Sequence, residues 1–473
     1  VGSRPEEEGA WTSADFTFEG TKITGLSASG VEKRADKKDL VLPDKTPSGE
    51  WVTEIGDTTN ANGLFATKEE KFESVTFPSH IEKIGNKAFA DSGLKRIGNF
   101  PNTLKEIGLA AFQMNHLTAV ILPDSVTTLG GGAFGSNAEI ETIVLSKNLK
   151  EIPSGAFGCS TADLYMTNLT ELTIPEGVTK IGQNAFAGNN IKNIVIPSTV
   201  TEIGRFAFST KNYLKDECTL TLPEGLKTIG SRAFRNKVIK EVQLPTTVES
   251  LDKNTFEKEY SDDTVATKTK VYVSKTQFAD KQNFPDSDYH EYMITIDEND
   301  TQWDAFDFTY EQWGDSNVDE VEVTFYPAHE MDKEVVLNPY YITGLSDIGK
   351  AKLEKNKHLV IPATDPYGKK VTGIGVRAFY KMGIESVTFP EGVMTKYDGP
   401  DGVIKDGVTE RGDFVIMSNA FFGNNLKTLT LPEGVIGVGT YAFKGNKQLT
   451  KVVVPHTLWR ISNGGFADGA IQS

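Results

Sequence analysis

Cysteine is almost missing from this chain: Cys159 and Cys218 are the only two in 473 residues. Their spacing fits neither a metal-ligand set nor a redox pair, so a disulfide-stapled or cysteine-metal fold is excluded. Histidine is nearly as scarce. His80, His116, His290, His329, His358 and His456 are dispersed, and none pairs with another at metal-ligand spacing. No run of 18 or more apolar residues occurs, so no segment reads as a membrane-spanning helix. Basic residues are outnumbered, 49 against 65 acidic ones, for a formal net charge of −16. With no basic stripe to neutralise phosphates, nucleic acid is not an expected partner, nor is an anionic membrane surface. A serine elbow, a Walker loop and a dinucleotide fingerprint are all lacking. The chain therefore reads as non-catalytic, with no cofactor and no metal.

What the chain does have is an internal period. Ala-Phe pairs recur at Phe89, Phe112, Phe134, Phe157, Phe186, Phe208 and Phe234, with Thr255-Phe256 as a worn copy. They return at Phe379, Phe421 and Phe443, then as Gly465-Phe466. Most neighbouring spacings are 22 or 23 residues, the length of one β-rich coil of a leucine-rich repeat solenoid. A coil that short cannot bury its own hydrophobic face, so it must stack on its neighbours. At ~4.8 Å per coil, eight regular coils would make a rod of roughly 40 Å.

The spacing within the period is uneven. Eleven residues separate Pro78 from Phe89, and the interval repeats at Pro101/Phe112, Pro123/Phe134, Pro175/Phe186, Pro197/Phe208, Pro223/Phe234, Pro245/Phe256, Pro432/Phe443 and Pro455/Phe466. Ser146 and Phe157 keep it without the proline. The return from Phe to the next Pro varies, reaching 18 from Phe157 to Pro175 and 15 from Phe208 to Pro223. One half of the coil is thus a packed template and the other carries loops, where added length costs little.

Each slot has an expected physical role, read most clearly from Leu169 to Phe186. Leu172 and Ile174 face inward from a short strand while Thr173 faces out. Pro175 ends the strand because it has no amide donor. Val178 and Ile181 return inward, Gly182 permits a bend with positive φ, and Ala185 leaves room for Phe186 in a buried column. Asn115, Asn137, Asn189, Asn424 and Asn446, three residues past their phenylalanines, are suited to bonding turn backbone between coils. Cys159 and Cys218 lie two coils apart, ~10 Å and beyond disulfide reach, so both are expected as free thiols.

This repeat resembles that of the BspA-type leucine-rich repeat family of bacterial surface proteins, whose copies read I-x-I-P-x-x-V-x-x-I-G-x-x-A-F. The likeness extends over most of the chain. It departs after the phenylalanine, where the family often has Cys and this chain usually has Asn or Gly. The resemblance implies a solenoid of short parallel strands and turns. It also implies an extracellular or cell-surface location, with any signal sequence removed ahead of Val1, and adhesion to host or microbial protein or glycan by a monomer.

A larger duplication overlies the coils. Ile23-Thr-Gly-Leu-Ser27 precedes Leu40 to Pro43, as Ile342-Thr-Gly-Leu-Ser346 precedes Leu359 to Pro362. Trp11 and Asp15 to Phe18 are echoed by Trp303 and Asp307 to Tyr310. The expected division is an N-terminal β cap and degenerate first strand over 1–45 and a first array over 46–257. A C-terminal cap and linker follow over 258–302, a second β cap over 303–365, and a second array over 366–473. In the second cap Val321, Val323 and Phe325 alternate as a half-buried strand should. Ile471 stands where another strand would begin, so the second array reads as truncated or open-ended.

Two candidate sites follow. Outward positions of the strands that precede the prolines are Thr76, Ile121, Val144, Thr173, Val195, Thr221 and Gln243, an extended, weakly polar face suited to a macromolecule. The second is an insertion of 20 residues: Pro390 to Phe421 spans 31 residues where eleven are the rule. Rich in Gly, Pro and Asp, it reads as a projecting hairpin or loop. Its carboxylates Asp398, Asp401 and Asp406 fit no twelve-residue calcium loop. Arg411-Gly412-Asp413 within it resembles the tripeptide that integrins recognise. The alternative to a binding role is a structural spacer that holds another domain away from the cell surface.

Overall fold

The computed structural model describes residues 9–58, 63–65, 71–158, 168–210, 216–258, 268–295, 300–312, 340–390, 394–396, 410–412, 414–458 and 460–471. The chain divides into two compact units, Val1–Thr295 and Ile296–Ser473. Cys159, Val321, Val323, Phe325, Asp398, Asp401, Asp406 and Asp413 lie outside the described residues.

In the first unit each coil supplies a two-residue strand after its proline corner. These strands pair in parallel through Glu54–Ile55, Lys83–Ile84, Glu106–Ile107 and Thr128–Leu129, and again from Glu151–Ile152 through Lys180–Ile181, Glu202–Ile203 and Thr228–Ile229 to Ser250–Leu251. The three-residue strands before the prolines form separate parallel groups. Asp39–Val41 pairs with Ser74–Thr76 and then Arg96–Ile97, Ala119–Ile121 with Thr142–Val144, and Asn193–Val195 with Thr219–Thr221. Glu241–Gln243 continues into Thr269–Val273 and His290–Ile294, so the parallel sheet runs on to the end of this unit.

Both units begin with the same local structure. In the first, Phe16–Glu19 runs antiparallel to Lys22–Leu26, and the helix Ala28–Asp36 follows with its N-terminus capped by the Ser27 hydroxyl. In the second, Phe308–Gln312 pairs with Tyr340–Leu345 and precedes the helix Asp347–Lys355, capped by Ser346. A lysine from each helix reaches a buried aspartate, Lys33 to Asp15 at 2.5 Å and Lys352 to Asp307 at 2.7 Å. The second unit then stacks Gly373–Ile374, Phe414–Ile416, Val435–Val438 and Arg460–Ile461 in parallel. Inside its insertion, Met394–Lys396 pairs antiparallel with Glu410–Gly412.

The phenylalanines form the expected column. From Phe89 to Phe256 every one is almost fully buried, and neighbouring rings stack with centroids 5.1 Å apart at Phe89/Phe112 and 5.8 Å apart at Phe234/Phe256. Phe421, Phe443 and Phe466 continue the pattern in the second unit at 5.2 and 5.3 Å. Burying each ring stabilises by about 1.5–3 kcal/mol, before any stacking contribution. The backbone locks the same register. Phe89 N donates to Ala111 O at 2.7 Å, Phe112 N to Ala133 O at 2.7 Å, and Phe421 N to Ala442 O at 2.8 Å.

Turning the chain so tightly around a buried ring leaves the phenylalanine carbonyls without strand partners, and buried carbonyls must be paired. Asparagine supplies the donor. Asn115 Nδ2 donates to Phe89 O (2.8 Å) and Phe112 O (2.9 Å), while its Oδ1 accepts from the Leu94 amide at 2.9 Å. Asn137 does the same for Phe112, Phe134 and Leu117, and Asn446 for Phe421, Phe443 and Leu426. Asn189 is buried but differs: its Nδ2 has no partner. Lys237 occupies the corresponding slot beyond Phe234, with Nζ donating to Asn189 O (2.9 Å) and Ile191 O (3.2 Å). Burial pushes its pKa down to about 8, with the Cys218 thiol opposing. Cys218 is a free, buried thiol, as expected.

Gly182 corrects an expectation, since its φ is not positive; the left-handed residue of that turn is Asn184 at φ 54. The glycine is required by closeness instead. A Cβ on Gly182 would lie 2.5 Å from Ser154 N, and one on Gly130 would lie 2.3 Å from Gly108 C. Most of the phenylalanines, though not Phe256, have left-handed residues two before and two after them, many of them not glycine. Lys87 and Asp91 flank Phe89, Ala110 and Met114 flank Phe112, and Arg377 and Lys381 flank Phe379. Such a residue costs on the order of 1 kcal/mol, so the column overrides local preference.

Residues 171–174, the clearest strand in the sequence, form none. The return half before them is the longest of the first unit. Their coil is tied at its start, where Lys192 N donates to Thr170 O at 3.0 Å, but the ladders on either side end before it and begin after it. The inward and outward pattern is nevertheless kept, with Ile174 buried, Leu172 partly buried and Thr173 exposed.

His290 closes the ring column of the first unit, edge-on to Phe256 at 5.7 Å. It is buried, and neither ring nitrogen has a hydrogen-bond partner. Burial, helped by Lys268 and opposed by Asp252 and Asp286, lowers its pKa to about 4. The folded state thus keeps the ring neutral while an unfolded histidine gains a proton near pH 6.5. Stability falls as the pH drops between those values, by on the order of 3 kcal/mol. Denaturant midpoints between pH 7.5 and 4.5 should show this loss, and His290→Phe should lack it. Gly130→Ala should cost about 1–3 kcal/mol by driving the coils apart. Gly131→Ala, whose Cβ would meet its nearest atom at 3.3 Å, should cost much less in the same denaturation experiment.

Candidate functional site: the outer strand face

The strands before the prolines alternate because every second side chain must enter the core. In Ala119–Ile121, Val120 is fully buried while Ile121 is 56% exposed. Val144 and Val195 are 47% and 49% exposed. Thr76, Thr221 and Gln243 also face solvent from strand ends. Six of the seven expected positions therefore lie on these strands. Thr173 is exposed but sits on no strand.

The face is segmented, not continuous. Ile121 pairs with Val144 and Val195 with Thr221, each within its own two-stranded ladder. Thr76 pairs with Val41, an exposed apolar residue in the same row that the repeat count overlooked because its coil is degenerate. Gln243 is committed to its own surroundings: its Nε2 donates to Thr295 Oγ1 at 3.0 Å, with longer contacts to the carbonyls of Leu244 and Tyr272. What remains freely presented is the set Val41, Ile121, Val144 and Val195.

Charge flanks this apolar row as inter-coil pairs. Lys95 meets Glu73 at 3.2 Å, Lys192 meets Asp216 at 3.0 Å and Lys240 meets Glu217 at 2.7 Å, while His116 Nδ1 hydrogen-bonds with Glu139 Oε1 at 2.9 Å. All are solvent-exposed, so each contributes at most about 1 kcal/mol. Pairing makes the flanks nearly neutral, leaving shape and apolar surface as what a partner would meet.

In the insertion, Arg411 pairs through its backbone with Thr395 and Gly412 with Met394, whereas Asp413 lies outside the described residues. Arg411-Gly412-Asp413 thus begins on a hairpin strand. Among the described residues, no group of three or more His, Cys, Asp or Glu is placed to hold a metal ion. No helix there is long and apolar enough to cross a membrane.

Short parallel strands, one set per coil, around a column of buried phenylalanines define a leucine-rich repeat solenoid. The model of the BspA type leucine rich repeat region matches residues 59–165, 164–263 and 415–473, more than half of the chain, and the protein belongs to that family. Among solved structures, a leucine-rich repeat protein from Bacteroides ovatus is 15% identical with a TM-score of 0.36, over 96% of this chain and 89% of that one. The pneumococcal vaccine antigen PcpA is 20% identical, with a TM-score of 0.31 over 59% of this chain and 96% of that one. A leucine-rich cell surface protein from Faecalibacterium prausnitzii is 15% identical, with a TM-score of 0.30 over 96% and 94%. No curated protein matches the chain.

If the exposed apolar row plays no part in holding the coils together, replacing it should leave stability unchanged. Ile121→Ser and Val195→Ser should each shift the unfolding free energy by no more than about 0.5 kcal/mol. Val120→Ser, on the buried side of the same strand, should cost several times that in the same denaturation series.

Proposed function

We propose that this is a non-catalytic bacterial binding protein of the cell surface or secreted fraction, adhering to host or microbial macromolecules through its outer strand face. The observation that carries this reading is the row Val41, Ile121, Val144 and Val195: large apolar side chains held in the open on backbone that hydrogen bonds keep rigid. Single exposed apolar residues need no explanation, but repeated ones on one face mark an interaction surface. Rigid strands present them without an ordering cost on binding. Membership of a leucine-rich repeat family of bacterial surface proteins supports the location and the binding role.

In this reading the hairpin and helix that open each unit act as N-terminal caps for two arrays, over 46–257 and 366–473. Terminal repeats need a polar outer side, and the buried Asp15–Lys33 and Asp307–Lys352 pairs fasten each helix over the first strands. Arg411-Gly412-Asp413 is a second, smaller contact in the insertion.

The test is binding of the purified chain to arrayed matrix glycoproteins and bacterial surface glycans. The combined variant Ile121→Glu, Val144→Glu, Val195→Glu should weaken capture by about tenfold or more, because charge on an apolar contact is strongly disfavoured. Unchanged capture would overturn the strand-face assignment. Deletion of residues 396–413 isolates the insertion, and capture unaltered by that deletion removes the tripeptide from consideration.

A further inference from the structure

On the second unit, the corner that carries the phenylalanine column has a surface chemistry that the fold does not require. Arg377, Tyr380, Lys381, Phe422, Tyr441 and Lys444 occupy the positions just before and after Phe379, Phe421 and Phe443. Tyr380 stacks on Phe422 with centroids 5.1 Å apart and planes at 13°. Lys381 Nζ lies 5.2 Å from the Tyr380 ring and 5.9 Å from the Phe422 ring, with the Arg377 guanidinium 5.8 Å from Tyr380. Lys444 Nζ lies 4.5 Å from the Tyr441 ring. Three rings and three cations thus line three successive coils.

Glycines of the following coil make room for these side chains to lie flat. A Cβ on Gly423 would lie 3.0 Å from Lys381 Cγ, one on Gly445 3.9 Å from Phe422 Cε1, and one on Gly464 2.5 Å from Tyr441 Cε1. The equivalent positions around Phe112, Phe134 and Phe186 hold Ala110, Gln113 and Met114, then Gly132, Gly135 and Ser136, then Asn184, Ala187 and Gly188. Those neutral, mostly small residues satisfy the same turn. Tyr441 even takes the left-handed conformation at φ 57, which a bulky ring adopts only against a cost.

Among the described residues these cations have no carboxylate partner: the ion pairs of this unit include Lys350–Asp347, Lys352 with Asp300 and Asp307, and His456–Glu433. None involves Arg377, Lys381 or Lys444, in contrast to the paired lysines along the first unit. The first unit's counterpart, Phe206 with Arg205 and Arg232, is shorter and partly neutralised, since Arg232 pairs with Glu257.

We propose that this strip binds a linear acidic polysaccharide laid along the coil axis. The coils here repeat every 5.0–5.3 Å, measured between phenylalanine rings, and a pyranose residue in an extended glycan advances by about one such step. Arg377 and Lys381 on the first coil and Lys444 on the third meet carboxylate or sulfate groups two sugars apart, while the ring edges and uncovered ring faces pack against sugar C–H groups. A strip running straight across coils suits a regular polymer better than a compact ligand. The inference is independent of the strand-face reading and uses a different surface.

The full chain should bind immobilised heparin and polygalacturonate at low ionic strength, weaken with added salt, and ignore dextran. Lys381→Gln combined with Lys444→Gln should weaken glycan binding by about tenfold without altering the fold. Tyr441→Gly should also weaken it while leaving the chain as stable or more so, because glycine accepts the left-handed backbone. Lys105→Gln with Lys147→Gln in the first unit, and the Ile121→Glu, Val144→Glu, Val195→Glu variant, should leave glycan binding unchanged. No binding to either acidic glycan, equal loss in the first-unit lysine variant, or tighter binding to poly-glutamate than to the glycans would overturn the proposal.

Discussion

Everything in this protein follows from a coil too short to hold a core of its own. One phenylalanine per coil fills the centre, and its ring is useful only when another lies about 5 Å above and below it. That demand sets the rest. The residue before it must be small, as Ala88, Ala111 and Ala133 are. In most coils the residues two away on either side are forced into left-handed backbone, whatever their side chains. The glycine four before it must let the backbones of adjacent coils touch. The carbonyl of the ring residue itself must find a donor, which an asparagine three residues later provides. The repeated motif is the list of conditions under which one buried ring can be passed from coil to coil.

Much of this was legible in the sequence because those conditions recur at a constant interval. The column, the inner positions of the strands, the buried asparagines and the hairpin within the insertion all correspond to residues singled out by spacing. What was not legible concerns geometry that spacing does not encode. Gly182 looked like a flexible bend, but its reason is a backbone contact with the neighbouring coil, which no pattern within one coil can reveal. The left-handed positions went unseen because they accept Lys87, Phe206, Arg232 and Tyr441 alike, so no residue type announces them. At 171–174 the alternation of Leu172, Thr173 and Ile174 is kept but no strand forms, because alternation within one coil does not specify the hydrogen-bonded ladder to its neighbours.

The site was legible only in part. Alternation identified outward residues correctly at Ile121, Val144 and Val195, since a strand with one face in the core has no freedom about the other. It gave no information on which outward side chains are already engaged. Gln243 is held by Thr295, some fifty residues away, and Val41 belongs to the row despite its degenerate coil.

The same constraint explains how such a protein can vary its surface. Because the ring column, the asparagine bonds and the glycine contacts fix the backbone, the residues between them are released from structural duty. The left-handed slots show this best: identical backbone is occupied by Gly132 in one coil and by Tyr441 in another. A bulky residue there is not selected by the turn, which would be better served by glycine. Its presence is therefore information about the surface and not about the fold. By that criterion a binding surface on such a solenoid is sought where side chains contradict the cheapest solution to the repeat, as Tyr441 does. Where they obey it, the coil is doing no more than supporting its neighbours.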